Sequence, residues 1–355
     1  MRYTTFGRRS GLRVSELALG TSNFGTKWAT GADHATSAAI FDAFASAGGT
    51  FIDTADTYQL GESETFLSDF LAADRDHFTV ASKFTLGSGG ITDVTATGNS
   101  RKVIRRSLEG TLSRLGTDFL DLYWVHFPDF ITPIEEVMEA LDDLVRAGKI
   151  LHAGLSNFPA WSVAAAVARA EAFGRSPVIG VQFEYSLAAR DGERDLIPMA
   201  EHFGLGAALY SPLGGGLLTG KYRHSSEGRL STLKSIIQRE DSAQKTAVVD
   251  EVLGIAQETG VSATEVAIAY LLARGRASAT ALVPVIGPRS TEHLDTYLRA
   301  LELDLDAEHY RRLDDVSAPV LGVPHETALE RIPGVLGGDA DAVVSAGGRA
   351  LWPHR

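Results

Sequence analysis

Short apolar runs and amphipathic stretches alternate along this chain, and that alternation constrains its fold more than any other feature. Runs that read as strands lie at Leu17–Leu19, Thr50–Ile52, Thr79–Ala81, Phe119–Val125, Leu151–Leu155, Val178–Val181, Gly206–Leu209 and Ala281–Ile286. Stretches of helical period follow them, at roughly 34–47, 62–73, 100–115, 134–147, 159–173, 193–203, 241–273 and 290–300. Caps mark several ends: Asn99-Ser100 before Arg101, Thr132-Pro133 ahead of the fourth stretch, and Gly148 after Ala147. Eight strand–helix units in unbroken order predict an α/β chain folded as an (α/β)8 TIM barrel. The rival is a doubly wound open sheet. Against it, the first strand ends in Gly20-Thr-Ser-Asn-Phe-Gly25, which lacks the GxGxxG spacing of a Rossmann site.

Ahead of the first strand, Arg2–Phe6, a Gly7–Gly11 turn and Leu12–Leu17 read as an N-terminal hairpin. Two insertions, Leu86–Gly98 and Ser211–Arg239, follow the third and seventh strands as long βα loops at the C-terminal face. The barrel is expected over residues 1–316. Residues 317–355 form a Gly- and Pro-rich tail, read as a disordered end or a loop covering one barrel mouth. The length of 355 residues fits one barrel with insertions, since such barrels run past about 250 residues.

Composition removes several chemistries. With no cysteine there is no disulfide framework, thiolate nucleophile, Cys-ligated zinc or iron–sulfur cluster. A formal charge of −12 argues against nucleic acid as a partner, because neutralising phosphates needs a basic face. Arg2, Arg8, Arg9 and Arg13 fall too early and too evenly for a signal peptide. No uncharged apolar run reaches the roughly 20 residues of a membrane span. A soluble, cytoplasmic protein is expected, and a homo-oligomer is compatible with the sequence. The ten histidines form no HExxH or comparable pair, so no metal is implied.

In such a barrel the active site forms where strands end and βα loops begin. The second strand ends in Phe51-Ile-Asp53, with Tyr58 in the loop beyond it. The third ends near Ser82-Lys83 and the fourth in Tyr123-Trp-Val-His126. Lys83 carries weight because only seven of the 33 basic residues are lysines. These groups make sense as a unit. A phenol of pKa about 10 is a sluggish proton donor at neutral pH. A nearby ammonium stabilises the phenolate, and a carboxylate keeps the ammonium charged and oriented. An imidazole and a phenol together donate two hydrogen bonds to one carbonyl oxygen, where charge develops during hydride attack. The set suits carbonyl reduction. Taken singly, Asp53 and Lys83 would also fit a structural ion pair, and His126 a core histidine.

At these residues the sequence resembles the aldo-keto reductase superfamily. Phe51-Ile-Asp-Thr-Ala-Asp-Thr-Tyr-Gln-Leu-Gly-Glu-Ser-Glu64 is similar to its aspartate–tyrosine motif and Ala81-Ser-Lys-Phe84 to its lysine strand. Leu112-Ser-Arg-Leu-Gly-Thr-Asp-Phe-Leu-Asp-Leu-Tyr-Trp-Val-His126 resembles the helix-to-histidine segment. Gly148-Lys-Ile-Leu-His-Ala-Gly-Leu-Ser-Asn-Phe158 and Tyr210-Ser-Pro-Leu-Gly-Gly-Gly-Leu-Leu-Thr-Gly-Lys221 complete a match over about residues 2–316. The resemblance implies that Tyr58 is the proton donor, that Lys83 and Asp53 tune it, and that His126 orients the substrate carbonyl. It implies that Ser156, Asn157 and Gln182 hold the nicotinamide carboxamide and that the Tyr210 ring stacks on the nicotinamide; without the resemblance the three polar residues read as ordinary loop capping, and Tyr210 also fits barrel-mouth packing.

Two anion sites read physically beside that resemblance. Ser211-Pro-Leu-Gly-Gly-Gly216, through Ser211, Leu213, Gly214 and Gly216, offers backbone N–H groups that a diphosphate can approach closely, with Lys221 as a cation. Gly287 precedes a helix start capped by Ser290, and Arg289 can pair bidentately with a 2′-phosphate, which argues for NADPH over NADH, a plain surface arginine being the alternative. The chain has His293 where the family pattern has glutamine, and Tyr297 near its asparagine, so contacts at the adenine end depart from that pattern. Phe24, Trp28, Phe84 and Phe127 lie at or just after strand ends and are the candidate apolar lining of a substrate pocket, though each fits core packing equally well.

The expected activity is NADPH-dependent reduction of an aldehyde or ketone to an alcohol, NADP(H) being the cofactor and a small carbonyl compound the partner. Two alternatives stand beside it. One is an NADPH-binding sensor or regulatory subunit, like the potassium-channel β subunits of the same superfamily. The other is a barrel isomerase or lyase acting on a phosphorylated sugar, which would use the same phosphate loops without a nicotinamide.

Overall fold

The computed structural model describes residues 1–88, 93–223 and 238–339. β1 (Tyr3–Thr5) and β2 (Arg13–Ser15) form an antiparallel hairpin with Tyr3 opposite Ser15. β3 (Ala18–Gly20), β4 (Phe51–Asp53), β5 (Thr79–Phe84), β6 (Leu120–Val125), β7 (Ile150–Ser156), β8 (Val178–Glu184), β9 (Gly206–Tyr210) and β10 (Leu282–Ile286) run parallel and close a barrel, β10 pairing with β3. Helices α1 (His34–Ser46), α2 (Glu62–Leu71), α3 (Arg101–Leu115), α4 (Ile134–Arg146), α5 (Ala160–Ala172) and α6 (Leu196–Phe203) cover the barrel. They are followed by α7 (Ala243–Thr259), α8 (Ala263–Ala277), α9 (Thr291–Arg299), α10 (Ala307–Val316) and α11 (His325–Val335). The chain is thus an (α/β)8 barrel with an N-terminal hairpin.

The period of two along each strand sorts side chains into two cores. Ala18, Phe51, Ala81, Leu122, Trp124, Ala208, Val283 and Val285 meet inside the barrel, together with Phe6 and Val14 of the hairpin. Leu19, Ile52, Val80, Tyr123, Val125, Leu155, Leu209 and Ile286 pack outward among the helices. Phe6 closes the floor, edge-on to Phe51 and Trp124 at centroid distances of 5.5 and 6.2 Å. Its ring needs glycine beneath it: a Cβ on Gly180 or Gly206 would lie 2.4 or 2.8 Å from a ring carbon. Trp124 fills the middle in the same way, since a Cβ on Gly154 would lie 2.2 Å from the indole. Burying each such ring contributes about 1.5–3 kcal/mol. With the floor and middle packed, the C-terminal mouth is left for a site.

Three stretches differ from the sequence reading. The stretch 241–273 is two helices, because Gly260 takes the left-handed conformation at φ 71° and Ser262 with Glu265 starts a new helix through a capping box. In the stretch 193–203, a 3-10 turn at Asp191–Glu193 precedes α6. The tail, read as a disordered end or loop, contains the helix α11, and α10 just before it was not expected either. Arg190 holds this end of the chain: it donates to Asp314 O and Ser317 Oγ, each at 2.8 Å. α11 docks through His325 Nε2 and Asp195 Oδ1 at 3.1 Å. Residues 89–92, 224–237 and 340–355, which include parts of both expected insertions and the end of the tail, lie outside the described residues. Among the described residues no helix is long and apolar enough to cross a membrane.

Candidate active site

The inward parity of the barrel continues into the mouth. Asp53 follows Phe51 by two positions on β4, Lys83 follows Ala81 on β5, and His126 follows Trp124 on β6. Ser156 stands in the same relation to Gly154, and Tyr210 to Ala208. The alternation that builds the floor therefore turns the polar residues at the strand ends toward the barrel axis above it.

Lys83 is the hub. Its side chain is fully buried, and Nζ donates to Asp53 Oδ2 at 2.5 Å, to Thr54 O at 2.8 Å and to Tyr58 OH at 3.1 Å. Gln182 Nε2 donates to the other Asp53 oxygen at 2.9 Å. Burial works against the ammonium, but Asp53 and Tyr58 outweigh it and hold the Lys83 pKa above its ordinary value. The positive charge is therefore maintained beside the phenol, where it stabilises a phenolate. The Tyr58 ring stands edge-on to His126 at a centroid distance of 6.1 Å. Burial, then the Lys83 charge, pushes His126 well below the usual imidazole range. A neutral imidazole keeps an N–H to donate, so phenol and imidazole can both donate to one oxygen.

Across the mouth, Asn157 Nδ2 donates to His126 O at 3.0 Å and to Ser156 Oγ at 3.1 Å, while Tyr210 OH donates to Asn157 Oδ1 at 2.9 Å. Asn157 has φ 61°, a left-handed conformation that asparagine tolerates better than most residues. With the Gln182 nitrogen on Asp53, its carbonyl oxygen remains to accept. With Ser156 Oγ accepting from Asn157, its proton remains to donate. An acceptor and a donor side by side match the two sides of a carboxamide.

Farther out, Lys221 and Arg289 converge although 68 positions separate them in sequence. Both lower the pKa of His293, after burial, which has the largest effect. The Lys221 side chain folds back over the glycine turn, so that a Cβ on Gly216 would lie 3.1 Å from Nζ. Gly287 sits where Asn23 Nδ2 reaches its carbonyl at 3.0 Å. Ser290 caps α9 by accepting from the His293 N–H at 3.2 Å. The glycine loop differs from expectation in one respect. The N–H groups of Gly214 and Gly216 donate to Ser211 O and Leu213 O, at 2.8 and 3.0 Å, and so close the turn itself. The cations Lys221 and Arg289, more than those N–H groups, make this end of the mouth attractive to anions.

The profile of the Aldo/keto reductase family matches residues 16–318. The chain belongs to the aldo/keto reductase family. Norsolorinic acid reductase of Aspergillus flavus is 38% identical over 330 residues, covering 90% of this chain and 82% of that protein. Aldo-keto reductase ausK of Aspergillus calidoustus is 34% identical, covering 92% of this chain and 84% of its own. A putative aryl-alcohol dehydrogenase, AAD14 of Saccharomyces cerevisiae, is 34% identical, covering 91% and 88%.

Two of the four candidate pocket aromatics of this aldo/keto reductase do not reach its mouth. Phe24 and Phe84 are fully buried in the outer core, Phe24 edge-on to Phe70 and Phe84 against Tyr123 at 5.0 Å. Strand parity explains Phe84, which follows the inward Lys83 and so points outward. Trp28 and Phe127 do flank the site: Trp28 stands edge-on to Tyr58 at 6.2 Å, and Phe127 stacks on His126 at 4.6 Å. Gln59, not among the residues expected at the site, is fully buried and fastens the two mouth loops together. Its amide donates to Ser22 O and Thr30 O, and its oxygen accepts from the Trp28 N–H at 2.7 Å. Its place beside Tyr58 in the motif was the only signal.

Proposed function

We propose that this chain reduces an aldehyde or ketone to an alcohol with NADPH, and that Tyr58 supplies the proton. The observation that carries the reading is the buried Lys83 ammonium, hydrogen-bonded at once to Asp53 and to the Tyr58 hydroxyl. NADPH, when bound, supplies the hydride to the carbonyl carbon. The carbonyl oxygen lies between the Tyr58 hydroxyl and the His126 imidazole. As the C=O π pair moves onto oxygen, Tyr58 gives up its proton there, and Lys83 stabilises the phenolate that remains. Bulk water then returns a proton to Tyr58.

Ser156, Asn157 and Gln182 would hold the carboxamide, Tyr210 would face the nicotinamide ring, and the Ser211–Gly216 turn, with Leu213, Gly214 and Lys221, would meet the diphosphate. Gly287, Arg289 and His293 would meet the 2′-phosphate end. Trp28 packs edge-on to Tyr58 and Phe127 stacks on His126, so aromatic side chains border both members of the acid pair; with the aryl-alcohol dehydrogenase relative, this favours aryl aldehydes and ketones. A cytoplasmic enzyme is part of this reading. The test is NADPH consumption across a panel of aryl and alkyl aldehydes, with cofactor binding followed by fluorescence. Turnover supports the reading. Tight NADPH binding without turnover would favour the sensor alternative, and no binding would favour the sugar-phosphate one.

A further inference from the structure

Behind the proton-donor site lies a second buried charge cluster, on the outward faces of the same strands. Ser82 precedes Lys83 on β5 and points the other way, donating to Glu64 Oε1 at 2.5 Å. Arg114 of α3 donates to Glu64 Oε2 at 2.7 Å. Asp56 and Tyr123 complete the group, with 1% and 0% of their surface exposed. Among the described residues, Asp56 Oδ1 and Tyr123 OH are buried without a hydrogen-bond partner. One guanidinium thus serves two carboxyl groups, and Glu64 has it.

A second buried anion beside Glu64 has no salt bridge of its own among the described residues; Arg114, the Thr57 N–H and Lys83 favour its charged form, but burial and Glu64 outweigh them, and such groups take a proton. Burial, with Glu64 adding to it, pushes the Asp56 carboxyl up to about 7. The charged and titratable groups that face Asp56 are Glu64 from α2, Arg114 from α3, Lys83 from β5 and Tyr123 from β6. Lys83 stays cationic, and burial raises the Tyr123 phenol well above its ordinary value. Glu64 accepts from two donors, as a carboxylate does. Asp56 is the member whose charge changes near neutrality.

The cluster bears on the loop that carries Tyr58. Asp56 N–H donates to Lys83 O at 3.0 Å, and Tyr58 N–H donates to Ala55 O at 3.1 Å. Just past Tyr58, Gln59 and Leu60 have φ of 50° and 58°, and Gly61 has 95°. Two consecutive side-chain-bearing residues in the left-handed region are strained and persist only where their surroundings hold them. Arg114 is part of that hold: it lies so close under Gly61 that a Cβ there would be 3.1 Å from Arg114 Cδ.

We propose that Asp56 is a positioning residue for the reduction: in its protonated form it lets the strained Tyr58 loop pack beside the Glu64–Arg114–Tyr123 cluster without charge repulsion, and its ionisation, by setting a second anion against Glu64, disturbs that packing. The proposal rests on the reading of Tyr58 as proton donor. An ionised Asp56 presents Oδ1 to no donor and repels Glu64, and the relief open to it is movement of the loop it belongs to, with Tyr58 two residues away.

The test is the pH profile of kcat/KM for NADPH-dependent reduction of one aryl aldehyde, in the wild type, Asp56→Asn and Glu64→Gln. Asparagine keeps the neutral shape and cannot ionise. The wild type is expected to lose about tenfold more than Asp56→Asn between pH 6 and pH 8, as for one required proton titrating at about 7. The loss should fall in kcat, with the KM for NADPH unchanged. Glu64→Gln should move the wild-type fall to lower pH, because it removes the neighbouring anion; this variant keeps the proposal testable if Asp56→Asn fails to fold. Superimposable wild-type and Asn profiles, a uniform loss at every pH, or no shift in Glu64→Gln would overturn the proposal. Tyr58→Phe with wild-type turnover would overturn the donor reading instead, whichever way those profiles fall.

Discussion

Lys83 and Ser82 are neighbours on β5, yet they open onto two buried charge clusters of opposite character. The front cluster is closed: the ammonium has a carboxylate, a carbonyl and a phenol, and the carboxylate has a second donor in Gln182. The rear cluster is short of a cation, with one arginine for two carboxyl groups and two buried polar atoms left without partners. Strand parity, a shift of one residue, separates them. The front keeps its charges across neutrality, because Lys83 is raised and His126 is depressed. The rear changes charge within it, because Asp56 sits at about 7. A cluster that keeps its charges across neutrality is thus built against one that changes charge within it.

The contrast breaks at its strongest point if Lys83 is dispensable. Lys83→Met leaves Asp53 buried with Gln182 as its donor, which should cost about 3–5 kcal/mol of stability. It also removes the charge beside Tyr58, so turnover should drop by about 10²–10⁴; denaturant unfolding with steady-state rates checks both. Arg114→Met should destabilise by a comparable 3–5 kcal/mol, approximately, through the stranded Glu64, yet leave NADPH affinity intact. Equal loss of NADPH binding in the two variants would erase the distinction between front and rear.

Asp56→Asn sharpens the contrast through stability. The folded-state value of about 7 lies above the ordinary 3.8, so the folded chain binds more protons between those limits. This group's contribution to stability therefore falls as pH rises from about 4 to about 7, and stays low above that. Asparagine removes the loss, which at 1.36 kcal/mol per pH unit is at most about 4 kcal/mol. The variant should be more stable than wild type at pH 8 and no more stable at pH 4, read from unfolding midpoints; a variant less stable at pH 8 would contradict an unpaired Asp56. The smallest effect is expected far from both clusters. Arg289→Ala should weaken NADPH about tenfold more than NADH, the loss of one charge-assisted pair, and fluorescence titration with both cofactors checks it.

The same parity explains what was legible in the sequence. Each barrel strand begins within one residue of its apolar run, because burial on both faces makes a run visible. The ends of β5 and β8 reach past their runs to Phe84 and Glu184, since the inward positions there are the polar Lys83 and Gln182. The positions of Asp53, Lys83 and His126 at one mouth were legible because each follows closely on an apolar run that marks its strand. Which aromatics lie beside the mouth was half legible, because in-or-out parity at Phe84 depends on a strand end that the apolar run did not show. α10 buries Leu313 and α11 buries none of its residues, so neither has a period to read. Asp56 was illegible for another reason: an aspartate between a threonine and an alanine looks like surface until Glu64, Arg114 and Tyr123 are folded around it.

Tyr58→Phe tests the central claim most directly, with reduction of an aryl aldehyde and NADPH affinity measured on the same preparation. The substitution removes one hydroxyl from a ring that His126 and Trp28 hold edge-on. The predicted result is a loss of most reduction, about 10²–10⁴-fold, with NADPH affinity nearly unchanged. Turnover that survives, or affinity that falls as far as the rate, would contradict Tyr58 as the group that delivers the proton.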